Sequence, residues 1–450
     1  MRAGSEGVVL PEDWVQATLG ELLREVDVRA GSLPPSEAAP LEVLSLTKNR
    51  GLIPQTERFG RRIATQDTSG YKVVRQGQIV YNPYVIWEGA IHGLRKSAAG
   101  LVSPVYPVWE TTEPDGGFLG FLLRTPPLIE AYNRLCSGAV NRRRSIRREA
   151  FVSIDVMVPP LHERRAIATM LRTAQRAAEA CGRVIGATRQ LKQSLLAYLF
   201  TYGPVPFDQA NQVPLKETEL GEMAAHWVPT PVETLISDGP QNGLYKPQSV
   251  YGEGTPILRI DDYPNDGGIV TSAARRVRLT EEECCKYALR SGDLLINRVN
   301  SLTHLGKVGL VGRLSEAVVF ESNLMRFSVN AKVVDSEFLF RFLCVPLARE
   351  AMRGKAKRAV AQSSINQGDV RSLIVPLPHL HEQLTIASHL STLDAKLAAE
   401  EARRAALDNL FKSLLHHLMT GKVRVNHLVD QLGGQSTGQP ALHLSGEEAS

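Results

Sequence analysis

A chain of 450 residues is too long for one ordinary hydrophobic core and points to two or three domains. Hydrophobic residues at 43% and charged ones at 22% are those of a soluble globular protein, and a net charge of +5 is too dilute over this length to argue for nucleic acid by itself. Five cysteines with no C-x-x-C and no paired framework read as reduced packing residues of a cytosolic protein. The opening "MRAGSEGVVLPEDW" has no apolar core for a signal peptide, and no run approaches the ~18 apolar residues of a membrane span, so secretion and insertion are not expected.

In chain order, "DWVQATLGELL" and "LTKNRGLIPQ" (46–55) lead to a strand at "VVRQGQIVYN" (73–82). Apolar "FLGFLLRTPPLIEAYNRL" then reads as short helix, and "NRRRSIRR" (141–148) follows with five arginines. "PPLHERRAIA" (159–168) opens a long proline-free segment. In it Ile167, Met170, Leu171, Ala174, Ala178, Cys181, Ile185, Leu191, Leu195 and Leu199 recur at spacings of three and four, the pattern of a helix with one apolar seam. Gly182 and Gly186 weaken its middle by roughly 1 kcal/mol each relative to alanine.

After "TYGPVPFDQANQVP" the pattern restarts. "HWVPTPVETLI" parallels "DWVQATLGELL", "ALRSGDLLIN" (288–297) parallels "VVRQGQIVYN", and "PHLHEQLTIA" (378–387) repeats the earlier phrase at an offset of 219. That offset holds without a gap from Ser145/Ser364 to Thr201/Thr420, which makes the chain a tandem duplication. The second long segment carries Leu390, Leu393, Leu397, Leu407, Leu410, Leu414 and Leu418, with the helix formers of "AKLAAEEARRAAL" around them.

The expected architecture is α+β: a duplicated mixed α/β domain plus a long helix, with the two helices pairing as an antiparallel coiled coil. The expected parts are a first domain at 1–155, a helix at 156–203, a linker at 204–226, a second domain at 227–375, a helix at 376–424 and a disordered tail at 425–450. About 40 residues at 1.5 Å each make a rod of roughly 60 Å. Antiparallel pairing, favoured by pseudo-two-fold symmetry, would set the two domains at its opposite ends. DNA major grooves recur on one face every ~34–36 Å, so two such domains suit a split target with an unread spacer.

His162-Glu163 and His381-Glu382 suggest a metal site, but H-E-x-x-H fails: Ala166 and Thr385 stand where the second histidine belongs. Helix initiation, with proline before the first turn and an early glutamate at the positive dipole end, is the better reading. "YNPYV" (81–85) lacks the second proline of an adenine-holding methyltransferase loop, and "GKVGLVG" (306–312) is no phosphate cradle. With no recognisable nuclease cluster either, no catalytic or metal-ligating residue is assigned.

The signals for nucleic acid are local, since Arg and Lys neutralise phosphates while Arg, Asn and Gln reach base edges; each basic segment alone is more often a solvated surface, and recurrence in equivalent places of a duplicated unit favours binding. The candidates are Lys48, Asn49, Arg50, Arg142, Arg143 and Arg144 in the first repeat. In the second they are Tyr245 and Lys246 of "NGLYKPQ", with Lys355, Lys357, Arg358, Gln362 and Asn366 of "RGKAKRAVAQSSINQ". Helix pairing falls to Leu171, Leu191, Leu195, Leu199, Leu390, Leu393, Leu397, Leu407, Leu414 and Leu418.

These phrases resemble the specificity subunit of type I restriction-modification systems over nearly the whole chain. The resemblance is carried by "VYNPYVIWEGAIHG" with "GLVSPVY", by "LRSGDLLINR", "GKVGLVG" and "VFESNLMRF", by "GLYKPQSVYGEGTPILRI", and by the two P-x-L-H-E helix starts. It implies a non-catalytic, cytoplasmic subunit with two target-recognition domains, each reading half of a bipartite sequence in double-stranded DNA. The helices would set the gap and help hold two modification (methyltransferase) subunits; restriction (translocase/nuclease) subunits can join. S-adenosylmethionine, ATP and Mg²⁺ would belong to those partners and not to this chain. An orphan DNA-binding scaffold or decoy, or a self-contained DNA-modifying enzyme, are the alternatives. Departures from the family pattern are Arg164-Arg165 after the first helix glutamate, and Gln78 where the second repeat has Asp293.

Overall fold

The computed structural model describes residues 11–34, 41–95, 97–137, 144–263, 268–270, 275–301, 304–357 and 363–425. The candidates Arg142, Arg143, Arg358 and Gln362, and all of the expected tail except Val425, lie outside them. Two compact units emerge: one holds residues 1–182 with 402–450, the other 183–401. Each is described in turn.

In the first unit, strand Val15–Thr18 pairs antiparallel with Asp155–Val158, Val15 opposite Val158. A four-stranded antiparallel sheet follows the order Leu23–Val26, Val108–Thr111, Ile79–Tyr81, Ile91–Gly93. Its apolar face packs on helix Pro126–Leu135 and the short helix Arg148–Val152, where Tyr81, Trp109, Tyr132 and Phe151 form one tilted aromatic cluster. A separate hairpin, Leu44–Thr47 with Gly51–Pro54, packs through Leu44, Leu46 and Leu52 against Val74, Val80 and Val102.

The second unit repeats this plan. Val228–Pro231 pairs with Ile374–Leu377, and a five-stranded sheet runs Ile236–Asn242, Leu324–Val329, Leu294–Asn297, Val308–Val311, Gly268–Val270. Its first four strands occupy the order of their counterparts in the first unit, and only the last pairing is parallel. The apolar run of the first unit and its counterpart in the second each form two short helices broken at the prolines: Leu119–Leu122 then Pro126–Leu135, and Ser336–Leu343 then Pro346–Gly354. Proline has no N–H to donate and disfavours helix in the residue before it, so Thr125 and Val345 become extended N-caps.

Helices Leu161–Tyr202 and Leu380–Met419 are the long elements. They pair antiparallel within each unit. In the first, Ile167 and Leu171 share a core with Leu418 and Met419; in the second, Leu199 shares one with Ile386 and Leu390. Arg189 pairs with Glu401 at 2.6 Å and Lys192 with Asp394 at 2.5 Å, so ascending numbers on one helix meet descending ones on the other.

The seam differs from the expected set at one position. Leu171, Leu199, Leu390 and Leu418 are buried, and Leu195, Leu393, Leu397, Leu407 and Leu414 are half-buried. Leu191, however, is 52% exposed and lies off the seam. Alternating steps of three and four from Ala178 run through Cys181, Ile185, Thr188, Lys192, Leu195 and Leu199, so the heptad passes through Thr188 and Lys192. The same count from Ile386 includes Phe411 and bypasses Leu410, which is 49% exposed.

Gly186 faces open space, with no atom within 4 Å of a Cβ built on it. Gly186→Ala is therefore expected to stabilise the first long helix by about 0.5–1 kcal/mol through backbone entropy alone. A higher midpoint in denaturant titration, without a change in DNA binding, checks this.

The repeated His-Glu phrase now has a structural role. Both histidines are exposed and the glutamates turn inward. Glu382 accepts from the His379 N–H at 3.3 Å, as a helix start requires, and its Oε1 meets His226 Nε2 at 3.0 Å and Trp227 Nε1 at 3.5 Å. Glu163, fully buried, accepts two bonds from Arg424 at 2.8 and 2.9 Å, and Arg424 also takes Asp13 at 2.5 and 2.9 Å. The first turn of each long helix is thus fastened beside the start of a repeat.

Two of the departures from the family pattern, Arg164 and Gln78, make the bonds of their counterparts in the second repeat. Arg164 Nε donates to the Pro159 carbonyl at 2.9 Å, as Gln383 Nε2 does to Pro378 at 2.9 Å. Gln78 accepts from the Arg75 N–H at 2.8 Å, and Asp293 accepts from Arg290 at the same distance.

Candidate nucleic-acid interface

In the first unit Lys48, Asn49 and Arg50 form the turn of the Leu44–Thr47/Gly51–Pro54 hairpin, all three exposed. A threonine and a glycine close this turn. The Arg50 N–H donates to Thr47 Oγ1 at 2.9 Å, that hydroxyl donates to the Gly51 carbonyl at 2.9 Å, and Gly51 has φ +74°. Lys48 is ion-paired with Glu88 and Arg50 with Glu57, both cations being more than half exposed. Exposed pairs of this kind contribute about 0–1 kcal/mol. Their cations can therefore exchange carboxylate for phosphate at little cost.

His92 supports the turn from beneath. Its Nε2 donates to the Lys48 carbonyl at 3.0 Å, and its Nδ1 would lie 3.3 Å from a Cβ at Gly51. Burial first, and then the positive charge of Arg124, push the imidazole down to about 4 from its ordinary 6.5. A depressed folded value means that the stability is fully present above pH ~6.5 and is lost as pH falls towards 4. Between pH 7 and 4 the wild type is expected to lose about 3 kcal/mol more than His92→Gln in denaturant titrations.

Arg144 is committed to its own unit. Its guanidinium lies 5.1 Å over the Trp87 ring and donates to the Asn133 carbonyl at 2.7 Å. Among the described residues beside Arg142 and Arg143, Ser137 and Ser145 exchange two backbone bonds of 3.1 Å. "YNPYV" is a local turn in which Asn82 Oδ1 accepts from the Tyr84 N–H at 3.0 Å and Asn82 Nδ2 donates to Tyr106 at 3.2 Å.

The second unit offers two counterparts. Gly243 presses against the backbone of Phe320 and Glu321 and so brings Tyr245 and Lys246 out beside the sheet. Tyr245 is 81% exposed, and Lys246 pairs with Glu283 at 2.7 Å. Lys355 and Lys357 are exposed. Lys357 and Ser364 exchange backbone bonds of 3.0 and 3.1 Å, the same kind of isolated bridge as Ser137/Ser145, again just after the helix that begins with proline. Asn366 is occupied otherwise than expected: its Oδ1 caps helix Gln367–Arg371 by accepting from the Asp369 N–H at 3.0 Å.

Sequence reasoning did not reach Arg95, Arg124 and Arg172, which the first unit brings together although they are spread over the chain. Among the described residues no three His, Cys, Asp or Glu side chains converge as a metal site requires. No described helix is long and apolar enough to cross a membrane.

A model of the type I restriction modification DNA specificity domain matches residues 242–409, which hold the sheet, the Tyr245 and Lys357 loops and most of the second long helix. Residues 242–409 thus carry the type I restriction modification DNA specificity domain. The putative type I restriction enzyme MjaX specificity subunit of Methanocaldococcus jannaschii is 30% identical over 205 residues, 46% of this chain and 48% of that one. The chain thus spans about half the length of that relative. The type I restriction enzyme EcoKI specificity subunit of Escherichia coli strain K12 is 25% identical over 447 residues, covering 92% of this chain and 90% of that one. The crystal structure of the type I restriction-modification S subunit from M. genitalium shares the fold with a TM-score of 0.56 at 13% identity. That match covers 93% of this chain and 98% of that chain. The matched residues lie within the second repeat, and the first repeat shows the same order in its four-stranded sheet and the same kind of isolated bridge.

Proposed function

We propose that this chain is a type I specificity subunit that reads double-stranded DNA as two half-sites, one per repeat, and performs no chemistry itself. The carrying observation is the recurrence of one backbone bridge, Ser137/Ser145 and Lys357/Ser364, beside a basic stretch of sequence in equivalent places of a duplicated fold. Lysines and arginines of these stretches and of the Lys48–Arg50 turn fix register on phosphates, and a few side chains read base edges in the major groove. Tyr245 and Lys246 give the second repeat a further contact. The target adenine is flipped toward a partner's active site.

The partners are two modification subunits, which bring S-adenosylmethionine, and, where one is encoded alongside, a restriction subunit that uses ATP and Mg²⁺. The place of work is the cytoplasm, where genomic and invading DNA meet. Mapping methylated adenines in cells with and without the gene tests the reading. The expected result is one class of site that disappears on deletion and has two specified blocks around an unspecified gap. A continuous target would refute half-site reading, and an unchanged methylome would favour an orphan scaffold.

A further inference from the structure

Arg95, Arg124 and Arg172 come together in the first unit from a strand end, a helix end and the first long helix: Arg95 reaches Phe121, three residues before Arg124, and Gln175, one turn beyond Arg172. Arg95 lies 4.2 Å over the Phe121 ring and donates to Gln175 at 2.6 Å. Arg172 donates to the Gly116 carbonyl and, at 3.2 Å, to Thr169. Arg124 Nε is buried with no acceptor. Among the described residues none of the three has a carboxylate partner within ion-pair distance, whereas Lys48 and Arg50 close by each have one. Arg124 and Arg172 lie close enough to Arg95 to repel its charge, and Glu179 is the one carboxylate close enough to offset it.

The repeat makes a second comparison available. Arg95 stands two residues beyond Gly93, the register partner of Ile79, and its counterpart two beyond Leu310, the partner of Leu294, is Gly312. Arg124 precedes the N-cap of Pro126–Leu135 where Cys344 occupies the same place. Arg172 corresponds to Ser391 at the constant offset of 219. The second copy thus folds without charge at these three positions, whereas the first copy places three arginines there with no carboxylate among the described residues within ion-pair distance. The cluster also adjoins His92, on which Arg124 and Arg95 act and which holds the Lys48 carbonyl, so it continues the proposed DNA surface of the hairpin.

We propose that Arg95, Arg124 and Arg172 form an anion site that grips a backbone phosphate of the DNA flanking the first half-site, an inference that rests on the DNA-reading function above. The guanidinium fork matches phosphate oxygens, and the buried Arg124 Nε–H gains the acceptor it lacks.

The test uses Arg95→Gln and Arg124→Gln, singly and together, in the full chain co-expressed with its modification subunits. Arg172 is kept because it also holds the Gly116 carbonyl. Binding is measured on a duplex with the mapped target and on an unrelated duplex over a salt series. The expected result is a plot of log K against log salt shallower by ~0.9 for each phosphate no longer neutralised, with about tenfold weaker binding on both duplexes alike. An unchanged slope overturns the proposal, and so does weakening confined to the mapped target, which would mean base reading. Failure of the modification subunit to co-purify, with an unchanged slope, also overturns it, in favour of an acidic protein surface. A wild-type complex that binds neither duplex refutes the DNA-reading function itself, an outcome separate from any difference between variant and wild type.

Discussion

Replacing Arg424 with alanine is expected to destabilise the first unit by about 3–5 kcal/mol, the cost of stranding one member of a buried ion pair. Glu163 is 0% exposed and takes two of its bonds from Arg424, so the variant leaves a carboxylate out of water with nothing to meet it. Asp13, half exposed, regains solvent and adds little. Glu163→Gln combined with Arg424→Ala is expected to recover most of the loss, because a neutral amide is far cheaper to bury than an unpaired charge. Native-state hydrogen exchange of Val15–Thr18 and Asp155–Val158 reads the effect locally, since these strands lie on either side of the clasp in sequence and pair with each other. Protection that is unchanged in Arg424→Ala would show that the ion pair does not fasten the unit.

That clasp bears on how the duplication works. Glu163 and Glu382 are the same residue of the repeated phrase, yet one takes an arginine from the far end of the chain and the other a histidine and a tryptophan from the start of the second repeat. Gly421 packs against Pro11 and Trp14 as Gly203 packs against Trp227. The partners differ while the place is kept, so the two copies hold the same junction, each with its own chemistry.

Much of this was legible beforehand because the repeat offset is a global signal that one copy's drift cannot erase. The offset of 219 aligned the two long helices, and the 3-4 spacing of Ile167, Leu171, Leu390 and Leu418 marked their seam. Leu191 misled because an apolar residue next to a seam looks like part of it; only the heptad count through Thr188 and Lys192 separates them, and Lys192 enters the seam because Asp394 meets it there. The candidate site was harder. Asn366 carries the right chemistry for base reading but spends it on a helix cap, and Arg144 spends its charge on Trp87 and Asn133. A run of arginines shows composition, not which members face outward. The converse holds for Arg95, Arg124 and Arg172, which share no motif and no spacing and meet only because a strand end, a helix end and a long helix converge.

Gly243→Ala is the second substitution with a large expected effect. Its φ is not in the left-handed region, so the demand for glycine comes from space alone. A Cβ there would lie 2.2 Å from the Glu321 carbonyl oxygen and 2.3 Å from that of Phe320. Both obstacles are backbone atoms, which cannot swing aside as a side-chain end can. Relief requires that residues 243–244 move away from strand Val319–Phe320, breaking the 3.0 Å bonds from the Gly243 N–H to Leu324 and from the Leu244 N–H to Phe320. About 3 kcal/mol, the upper end of the range for overpacking, is the expected cost. Because Tyr245 and Lys246 follow directly, the displacement also moves the proposed contact of the second repeat. DNA binding by the assembled complex is then expected to lose discrimination at one half-site while the other is still read, a split that competition with duplexes mutated in either half measures directly. Equal loss at both halves would show that the loop supports the whole assembly, and no loss would show that Tyr245 and Lys246 take no part in reading.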